Sequence, residues 1–405
     1  MSLISPIPLS NPDIGHLEKA AVLRVLGSGR LSLGPLLPAF ESAIAERTGV
    51  VHAIAVNSGT SGLHLCIKAA GIAEGDEVIT SPFSFIASAN CILFEGGIPR
   101  FVDIDPVTFN LDTDRIEDAI TPRTKAILPV HVFGRPCDMA AVLRIADRYH
   151  LKVIEDACEA IGARLQGRAA GSFGQTGVFA FYPNKQITTG EGGVIVTNDS
   201  RAAALCRSWR NQGRCDGDAW LSHARLGYNY RLSDIQCALG LAQLSRLDTF
   251  LALRAHVAAR YTEFLQAEVP EVLPPAPPAA GSEMSWFVYV VRLHDEFTQQ
   301  HRDCIVNDLR AAHIGTNIYF TPIHLQPFFR RQFGYRPNDF PITERISART
   351  IALPFFNRLT DRQIAFVVHA LRKAIGRLKP RSLSLGARAT YCASAASSVA
   401  VSARL

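Results

Sequence analysis

Residues 176–198 read TGVFAFYPNKQITTGEGGVIVTN, two apolar runs around a short polar loop. The runs at 177–182 and 193–197 are rich in β-branched and aromatic residues, a composition typical of strands. Between them, Lys185 follows Pro183, which disfavours helix, and precedes glycines that permit sharp bends. A lysine removed from water in such a loop can act as a nucleophile towards carbonyl groups. A surface hairpin with a solvated lysine is the alternative interpretation.

The composition is typical of a globular protein with a substantial core. The chain has 405 residues, of which 48% are hydrophobic and 19% are charged. This length fits one large domain and one smaller domain. We expect a large domain at residues 1–250 and a small domain at 251–380. Residues 381–405 are rich in Ala and Ser without clear periodicity, so we expect a disordered tail there.

Charge and cysteine content argue against several classes of protein. The net charge of +6 is modest and no dense Lys/Arg run precedes the C-terminal region, so nucleic-acid binding has little support. The nine cysteines include no Cys-x-x-Cys pair, so they indicate neither a metal site nor a disulfide framework. The N-terminus lacks a basic region followed by an apolar run, and no apolar stretch is long enough to span a bilayer. We therefore expect a cytoplasmic protein that does not bind membranes.

Strands that alternate with helices predict an α/β fold with a mostly parallel sheet and right-handed crossovers. Ligands of such sheets lie beyond the carboxyl ends of the strands. Thr60, His131 and Asp156 each follow a predicted strand, so we expect them to share one site. The predicted strands are 50–56, 76–80, 101–105, 126–130, 151–155, 287–292 and 315–320, and the predicted helices include 63–70, 116–120, 139–149, 235–266, 302–312 and 361–375.

Residues 57–62, NSGTSG, form a small polar turn between a predicted strand and a predicted helix. This arrangement presents free backbone N–H groups to an anion, and the hydroxyls of Ser58, Thr60 and Ser61 can add donors. We interpret the turn as a phosphate-binding site. An ordinary helix N-cap is the alternative, since Ser and Thr favour that position.

Four features together predict one cofactor. A phosphate site at Thr60, an aromatic ring at Phe85, a carboxylate at Asp156 and an amine at Lys185 match the phosphate, ring, basic nitrogen and aldehyde of pyridoxal 5′-phosphate (PLP). Lys185 would form the Schiff base, Asp156 would keep the pyridine nitrogen protonated, and Phe85 would stack on the ring. Taken singly, Asp156 could instead be a helix N-cap and Phe85 a core aromatic.

Six short segments resemble the DegT/DnrJ/StrS-type family of PLP-dependent nucleotide-sugar aminotransferases. The resemblance extends over nearly the whole chain up to about residue 378. It implies a fold-type I PLP enzyme, with a mostly parallel central sheet flanked by helices and a smaller C-terminal α/β domain, that works as a homodimer with shared active sites. The segments are GTS at 59–61, PFSFIA at 82–87, EDACE at 155–159, FYPNK at 181–185, GEGG at 190–193 and GYNYR at 227–231.

The resemblance also implies roles for individual residues. Gly59, Thr60 and Ser61 would bind the cofactor phosphate, to which Asn229 would reach from the neighbouring subunit. Glu159 would lie near the ring hydroxyl, where many relatives have Gln. The implied substrate contacts are Arg30, Tyr182, Arg214 and His324.

One position departs from the family pattern. Many relatives have a phosphate-binding serine five residues before the lysine, and here that position is Ala180. The missing hydroxyl would cost about 1 kcal/mol of cofactor affinity unless Ser58 or Ser61 replaces the contact.

The expected reaction is amino transfer from an amino acid, with L-glutamate as the predicted donor, to a 3-keto or 4-keto group of a nucleotide-linked deoxysugar. The Lys185 amine would move protons as general base and acid. PLP-dependent dehydration or aromatisation of a cyclic keto substrate is one alternative, since some relatives eliminate water. A catalytically silent sensor or scaffold of the same fold is another. No metal is expected.

Overall fold

The computed structural model of the chain describes residues 6–215, 217 and 222–378. The predicted disordered tail at 381–405 lies outside the described residues. No helix in the described part of the chain is both long and apolar enough to cross a membrane.

Helices make up much of the described chain. The α-helices are α1 (His16–Ser28), α2 (Leu36–Thr48), α3 (Gly59–Ala69), α4 (Ala87–Leu93), α5 (Met139–Arg148), α6 (Ser200–Arg210), α7 (Asp234–Leu244), α8 (Leu247–Glu268), α9 (Gln299–Ala311), α10 (Pro327–Phe333), α11 (Pro341–Ser347) and α12 (Asp361–Leu378). Short 3-10 helices cover Thr113–Arg115, Glu117–Ala119, Val132–Gly134 and Ile323–Leu325.

The strands form one large sheet and two small ones. They are β1 (His52–Val56), β2 (Glu77–Thr80), β3 (Ile98–Phe101), β4 (Thr124–Ile127), β5 (Lys152–Asp156), β6 (Arg164–Leu165), β7 (Arg168–Ala169), β8 (Thr176–Ala180), β9 (Gly193–Thr197), β10 (Val272–Leu273), β11 (Ser282–Glu283), β12 (Tyr289–Leu293) and β13 (Thr350–Leu353).

The central sheet has seven strands in the order β1-β9-β8-β5-β4-β2-β3. Only β9 runs against its neighbours in this sheet, β1 and β8, and the other described strands are parallel to one another. The predicted α/β fold with a mostly parallel sheet is therefore confirmed. Because the parallel strands end at the same edge, the residues that follow β1, β2, β5 and β8 meet there.

Helix α3 packs across this sheet. A Cβ atom at Gly62 would lie 2.7 Å from Val178 Cγ1, so the helix approaches the strands closely because this position has no side chain. Ile54, Val178 and Ile195 are fully buried beneath it. Each such side chain contributes roughly 1.5–3 kcal/mol when it is removed from water. This packing fixes the first turn of α3 relative to the ends of β1 and β8.

The C-terminal part of the chain has its own small sheet and its own hydrophobic core. Strand β12 lies between β10 and β13 in an antiparallel sheet, and helices α8, α9 and α12 enclose a core that includes Tyr261, Tyr289 and Leu371. The predicted strand at 315–320 is wrong. Asn317 makes only an isolated bridge to Ala352, because residues 317–320 turn towards the cavity described below.

Three further sequence predictions differ from the structure. The predicted strand at 101–105 lies earlier, at β3, because the Asp103 carboxylate leaves the ladder to accept the N–H groups of Ile342 and Thr343 at 2.9 and 2.8 Å. The predicted helix at 235–266 is two helices, α7 and α8, separated at residues 245–246. The predicted helix at 116–120 is a 3-10 turn.

Candidate active site

A cavity of about 550 Å³ opens at the carboxyl edge of the central sheet. Its walls come from residues at or just after the ends of β1, β2, β4, β5 and β8, together with Phe287, Asn317, Tyr319 and Phe320 of the C-terminal part. The topology therefore concentrates polar side chains from distant parts of the sequence around one enclosed space.

The first turn of α3 forms one end of this cavity. Ser58 caps the helix, because its Oγ accepts the N–H of Ser61 at 3.1 Å. Gly59 and Thr60 line the cavity, and N–H groups in a first helical turn have no intrahelical acceptor. A Cβ atom at Gly59 would lie 2.8 Å from Ala180 Cβ and 2.9 Å from Cys158 Sγ, so only glycine fits here. This end of the cavity suits an anion, because the helix dipole also favours negative charge.

Asp156, the last residue of β5, presents its carboxylate to the cavity. Its Oδ2 accepts a 2.6 Å hydrogen bond from Ser88 Oγ, and its Oδ1 accepts the N–H of Cys158 at 3.1 Å. Ser84 Oγ lies 2.7 Å from Ser88 Oγ and extends the network. The two serines line the cavity, and sequence alone did not single them out, because Ser84 lies in the loop before α4 whereas Ser88 lies in its first turn.

Lys185 lies in the loop between β8 and β9 with its amine inside the cavity. Its side chain is only 12% exposed, and Nζ is 3.6 Å from Glu159 Oε1. Nζ also lies 3.9 Å from the centre of the Phe287 ring. The backbone carbonyl of Lys185 accepts a 3.2 Å hydrogen bond from Arg254 Nη2, which anchors the loop from below. The predicted alternative of a solvated surface lysine does not describe this environment.

Glu159 is buried beside Lys185. Its Oε2 accepts the N–H of Phe133 at 2.8 Å, which leaves Oε1 facing the lysine. Burial raises the pKa of the Glu159 carboxyl, while the Lys185 charge and the Phe133 N–H oppose that rise. The neighbouring Asp156 charge raises the pKa further.

Aromatic and polar side chains form the mouth of the cavity. Phe85 and Tyr182 are 63% and 52% exposed, which is high for large rings. Tyr319 stands among the lining residues, and burial raises the pKa of its hydroxyl. Asn184 Oδ1 is buried and accepts no hydrogen bond in the described part of the chain. The mouth can therefore take a flat ring and a polar substrate.

The residues of the cavity fit PLP. The α3 end, with a cradle that a Cβ atom at Gly59 would fill, suits a phosphate, and Asp156 suits a basic ring nitrogen. The Lys185 amine suits an aldehyde. The structure thus brings together these predicted site residues: Gly59, Thr60, Phe85, Asp156, Glu159, Tyr182 and Lys185.

Other predicted site residues lie elsewhere on the same chain. Ser61 is turned back onto Ser58, with 2.9 Å between their hydroxyl oxygens, and does not line the cavity. Asn229 forms an isolated bridge with Asn211. Arg30 is exposed and borders a separate groove of about 670 Å³ between α1 and α7.

Two more of the predicted substrate residues lie outside the cavity. Arg214 borders a small recess that it shares with Arg207, Arg210 and Arg231. His324 is fully buried, with Nε2 3.0 Å from Glu344 Oε1, and burial lowers the pKa of its ring.

The expectation that His131 shares this site is wrong. His131 is fully buried, with Nε2 2.9 Å from Glu155 Oε2, and its Nδ1 accepts the N–H of Cys137 at 3.0 Å. Successive side chains of a strand point to opposite faces, so Glu155 faces away from the cavity that Asp156 faces. His131 therefore pairs with Glu155, on the face of the strand that points away from the cavity. Among the described residues, no group of three or more His, Cys, Asp and Glu side chains could hold a metal ion.

Comparisons with known proteins cover nearly the whole described chain. A sequence model of the DegT/DnrJ/EryC1/StrS aminotransferase family matches residues 12–372. GDP-perosamine synthase of Caulobacter vibrioides is 41% identical over 376 residues, which cover 93% of this chain and 100% of that protein.

Solved structures share the fold. PseC of Helicobacter pylori, an aminotransferase involved in the biosynthesis of pseudoaminic acid, superposes with a TM-score of 0.88 at 30% identity, over 92% of this chain and 100% of that one. Spr1654 of Streptococcus pneumoniae in its PLP form has a TM-score of 0.88 at 25% identity, over 93% of this chain and 100% of that one. The cavity described above lies within the matched residues.

Proposed function

This chain belongs to the DegT/DnrJ/EryC1/StrS aminotransferase family and is a PLP-dependent sugar aminotransferase; from that premise we propose that it moves an amino group from L-glutamate to a keto group of a nucleotide-linked deoxysugar. The observation that carries the proposal is the placement of the Lys185 amine and the Asp156 carboxylate in one cavity with the first turn of α3. A relative named for a GDP-linked sugar supports a nucleotide-linked acceptor.

The residues of the cavity divide the work of holding the cofactor. The N–H groups of Gly59 and Thr60 would bind the phosphate, and Phe85 would cover one face of the ring. Asp156 would hold a proton at the ring nitrogen, because Ser88 and the Cys158 N–H fix its carboxylate towards the cavity. When bound, the cofactor supplies an aldehyde carbon that carries the amino group and a ring that accepts electrons.

Lys185 has two tasks in this proposal. Its Nζ would bind the aldehyde carbon between turnovers. Once the amino donor displaces it, the freed amine would act as a general base and remove a proton from the α-carbon of the donor. It would then act as a general acid and give the proton up again. Burial of the side chain keeps bulk water away from these proton transfers.

We also propose a homodimer in which the subunits share their active sites. Asn229 lies outside the cavity of its own chain, so it would contact the phosphate only from a second subunit. Arg30 and Arg214 would likewise reach the acceptor sugar across the interface, whereas Tyr182 lines the cavity of its own chain. A role for His324 in substrate binding stays a prediction.

A panel of nucleotide-linked 3-keto and 4-keto sugars tests the reaction. With ¹⁵N-labelled L-glutamate, we expect one sugar to gain a single ¹⁵N atom by mass spectrometry. Initial-rate plots should give parallel lines, because two half-reactions on one cofactor predict ping-pong kinetics. Lys185→Ala should form no labelled product.

Three outcomes would contradict the proposal. A dehydrated product without ¹⁵N would indicate elimination, the alternative raised by the sequence. Labelled product with a different amino acid but not with glutamate would show that the donor is wrong. Intersecting lines in the initial-rate plots would exclude two separate half-reactions.

A further inference from the structure

Lys185 and Glu159 face each other as a buried pair of opposite charge. Their side chains are 12% and 8% exposed, and 3.6 Å separates Nζ from Oε1. In the described part of the chain, no other carboxylate lies within ion-pairing distance of the Lys185 amine. This separation is slightly longer than a hydrogen bond, and a small rotation of the flexible lysine stem would close it.

Hydrogen bonds around Glu159 hold it beside the lysine loop. The Glu159 carbonyl accepts hydrogen bonds from Gln186 Nε2 at 2.6 Å and from Ser285 Oγ at 3.4 Å. Gln186 follows Lys185 directly in the chain, so its side chain connects the lysine loop to the Glu159 backbone next to the pair. Because Glu159 Oε2 is occupied by the Phe133 N–H, only Oε1 is free to interact with the lysine.

The groups around Glu159 make its charge depend on Lys185. The titratable groups that face it are Lys185, Asp156, Cys158 and Tyr319. Burial raises the pKa of Glu159, the Lys185 charge is the largest influence that opposes this rise, and the Asp156 charge adds to it. When the positive charge of Lys185 disappears, burial and the Asp156 charge raise the pKa of Glu159 further, opposed only by the Phe133 N–H among these groups.

We propose that Glu159 accepts the proton that Lys185 receives from the ammonium group of the amino donor when the donor displaces it, which leaves the Lys185 amine neutral for its task, and that Glu159 returns this proton afterwards. In this transfer an N–H bond of the Lys185 ammonium group breaks and an O–H bond forms at Glu159 Oε1. The products are a neutral amine and a neutral carboxyl group, and no other reactant is needed. A neutral pair also avoids the cost of keeping two charges buried. The inference rests on the proposed function only for the role of Lys185.

Infrared spectroscopy of the full-length protein without added cofactor tests the coupling directly. The protein is labelled with ¹³C at the side-chain carboxyl groups of glutamate. In Lys185→Met we expect one labelled carboxyl group to become protonated at neutral pH. That signal should be missing in the wild type and in Lys185→Met/Glu159→Gln, which assigns it to Glu159.

Lys68→Met is the matched control. Lys68 Nζ pairs with Glu95 Oε2 at 2.7 Å, but this pair is more exposed, at 24% and 14%. Its loss should leave every labelled carboxyl group ionised. If Glu159 stays ionised in Lys185→Met, the proposal is overturned, and since this experiment uses neither amino donor nor sugar, it does so independently of the proposed substrates.

A second measurement uses the loaded enzyme and does not depend on the stability of Lys185→Met. In Glu159→Gln the proton of Lys185 must go to solvent. The single-turnover rate with saturating donor should therefore fall about tenfold for each unit by which the pH is lowered. The wild type and Glu159→Asp should be flat over that range. A lower rate with an unchanged pH profile in Glu159→Gln would indicate a purely structural residue and contradict the proposal.

Discussion

Ser88 Oγ lies 2.6 Å from Asp156 Oδ2, and this hydrogen bond connects the first turn of α4 to the last residue of β5. Ser88 in turn contacts Ser84 across 2.7 Å. The direction of the Asp156 carboxylate therefore depends on a helix that begins almost seventy residues earlier in the sequence. Hydrogen bonds to charged groups contribute about 1.5–3 kcal/mol.

Replacing Ser88 with Ala should weaken PLP binding by about 10-fold to 100-fold, because Asp156 would lose the donor that orients it. Titration of the protein with PLP, followed by absorbance, measures this change. Ser172→Ala is the control, since Ser172 is buried and bonds the Ala169 carbonyl away from the cavity. Equal dissociation constants for Ser88→Ala and the wild type would refute this role.

Ala180→Ser should strengthen PLP binding by about 1 kcal/mol, or roughly fivefold. Ala180 lines the cavity next to the first turn of α3, where an added hydroxyl would face the anion end. Ala180→Val adds volume without a donor and should weaken binding. If serine and valine had the same effect, the position would act through volume alone.

Gly59→Ala should disturb the anion end of the cavity. The new Cβ would lie 2.8 Å from Ala180 Cβ and 2.9 Å from Cys158 Sγ, so α3 must shift, at a cost of about 1–3 kcal/mol of stability. Urea unfolding and PLP titration measure the two effects. Gly27→Ala is the control, because nothing lies within 4 Å of its Cβ position in α1. That change should stabilise the protein by up to about 1 kcal/mol.

His64 should make the folded state less stable in acid. Burial lowers the pKa of its ring below the ordinary 6.5 despite the bond to Glu95, so the unfolded chain binds more protons below that pH. Stability should therefore be complete above about pH 6.5 and should fall as the pH decreases, by at most about 1.4 kcal/mol per pH unit for one histidine.

Urea unfolding between pH 5 and 8 checks this slope. His64→Gln should remove part of it, and His324→Gln should remove a second part, because burial also lowers the pKa of His324. A slope that is the same in His64→Gln and in the wild type would show that His64 does not contribute.

The lysine loop and the end of β5 were predictable because local sequence determines them. Residues 193–197 form a strand as predicted, and Lys185 and Asp156 meet where parallel strands end. Side-chain partners across the sheet were not predictable. The pairing of Glu159 with Lys185 and of Ser88 with Asp156 depends on how separate elements pack, and residue spacing carries no such information.

The errors have physical causes too. Residues 315–320 were predicted as a strand, but Asn317, Tyr319 and Phe320 line the cavity instead of completing a ladder. His131 follows a strand end as expected, yet the pleat directs it to Glu155 on the opposite face.

Gly193 pairs with both Val56 and Ala180. The residue that ends the lysine loop therefore lies directly beside the strand that leads into α3. A Cβ atom there would lie 2.7 Å from the Ser58 carbonyl, and the two segments touch backbone to backbone. This backbone contact fixes the distance between the anion end of the cavity and the Lys185 amine. Substitutions of the exposed rings at the mouth can therefore change which acceptor is bound without disturbing this contact. An insertion in residues 181–192 would instead displace the anion end of the cavity and the Lys185 amine together.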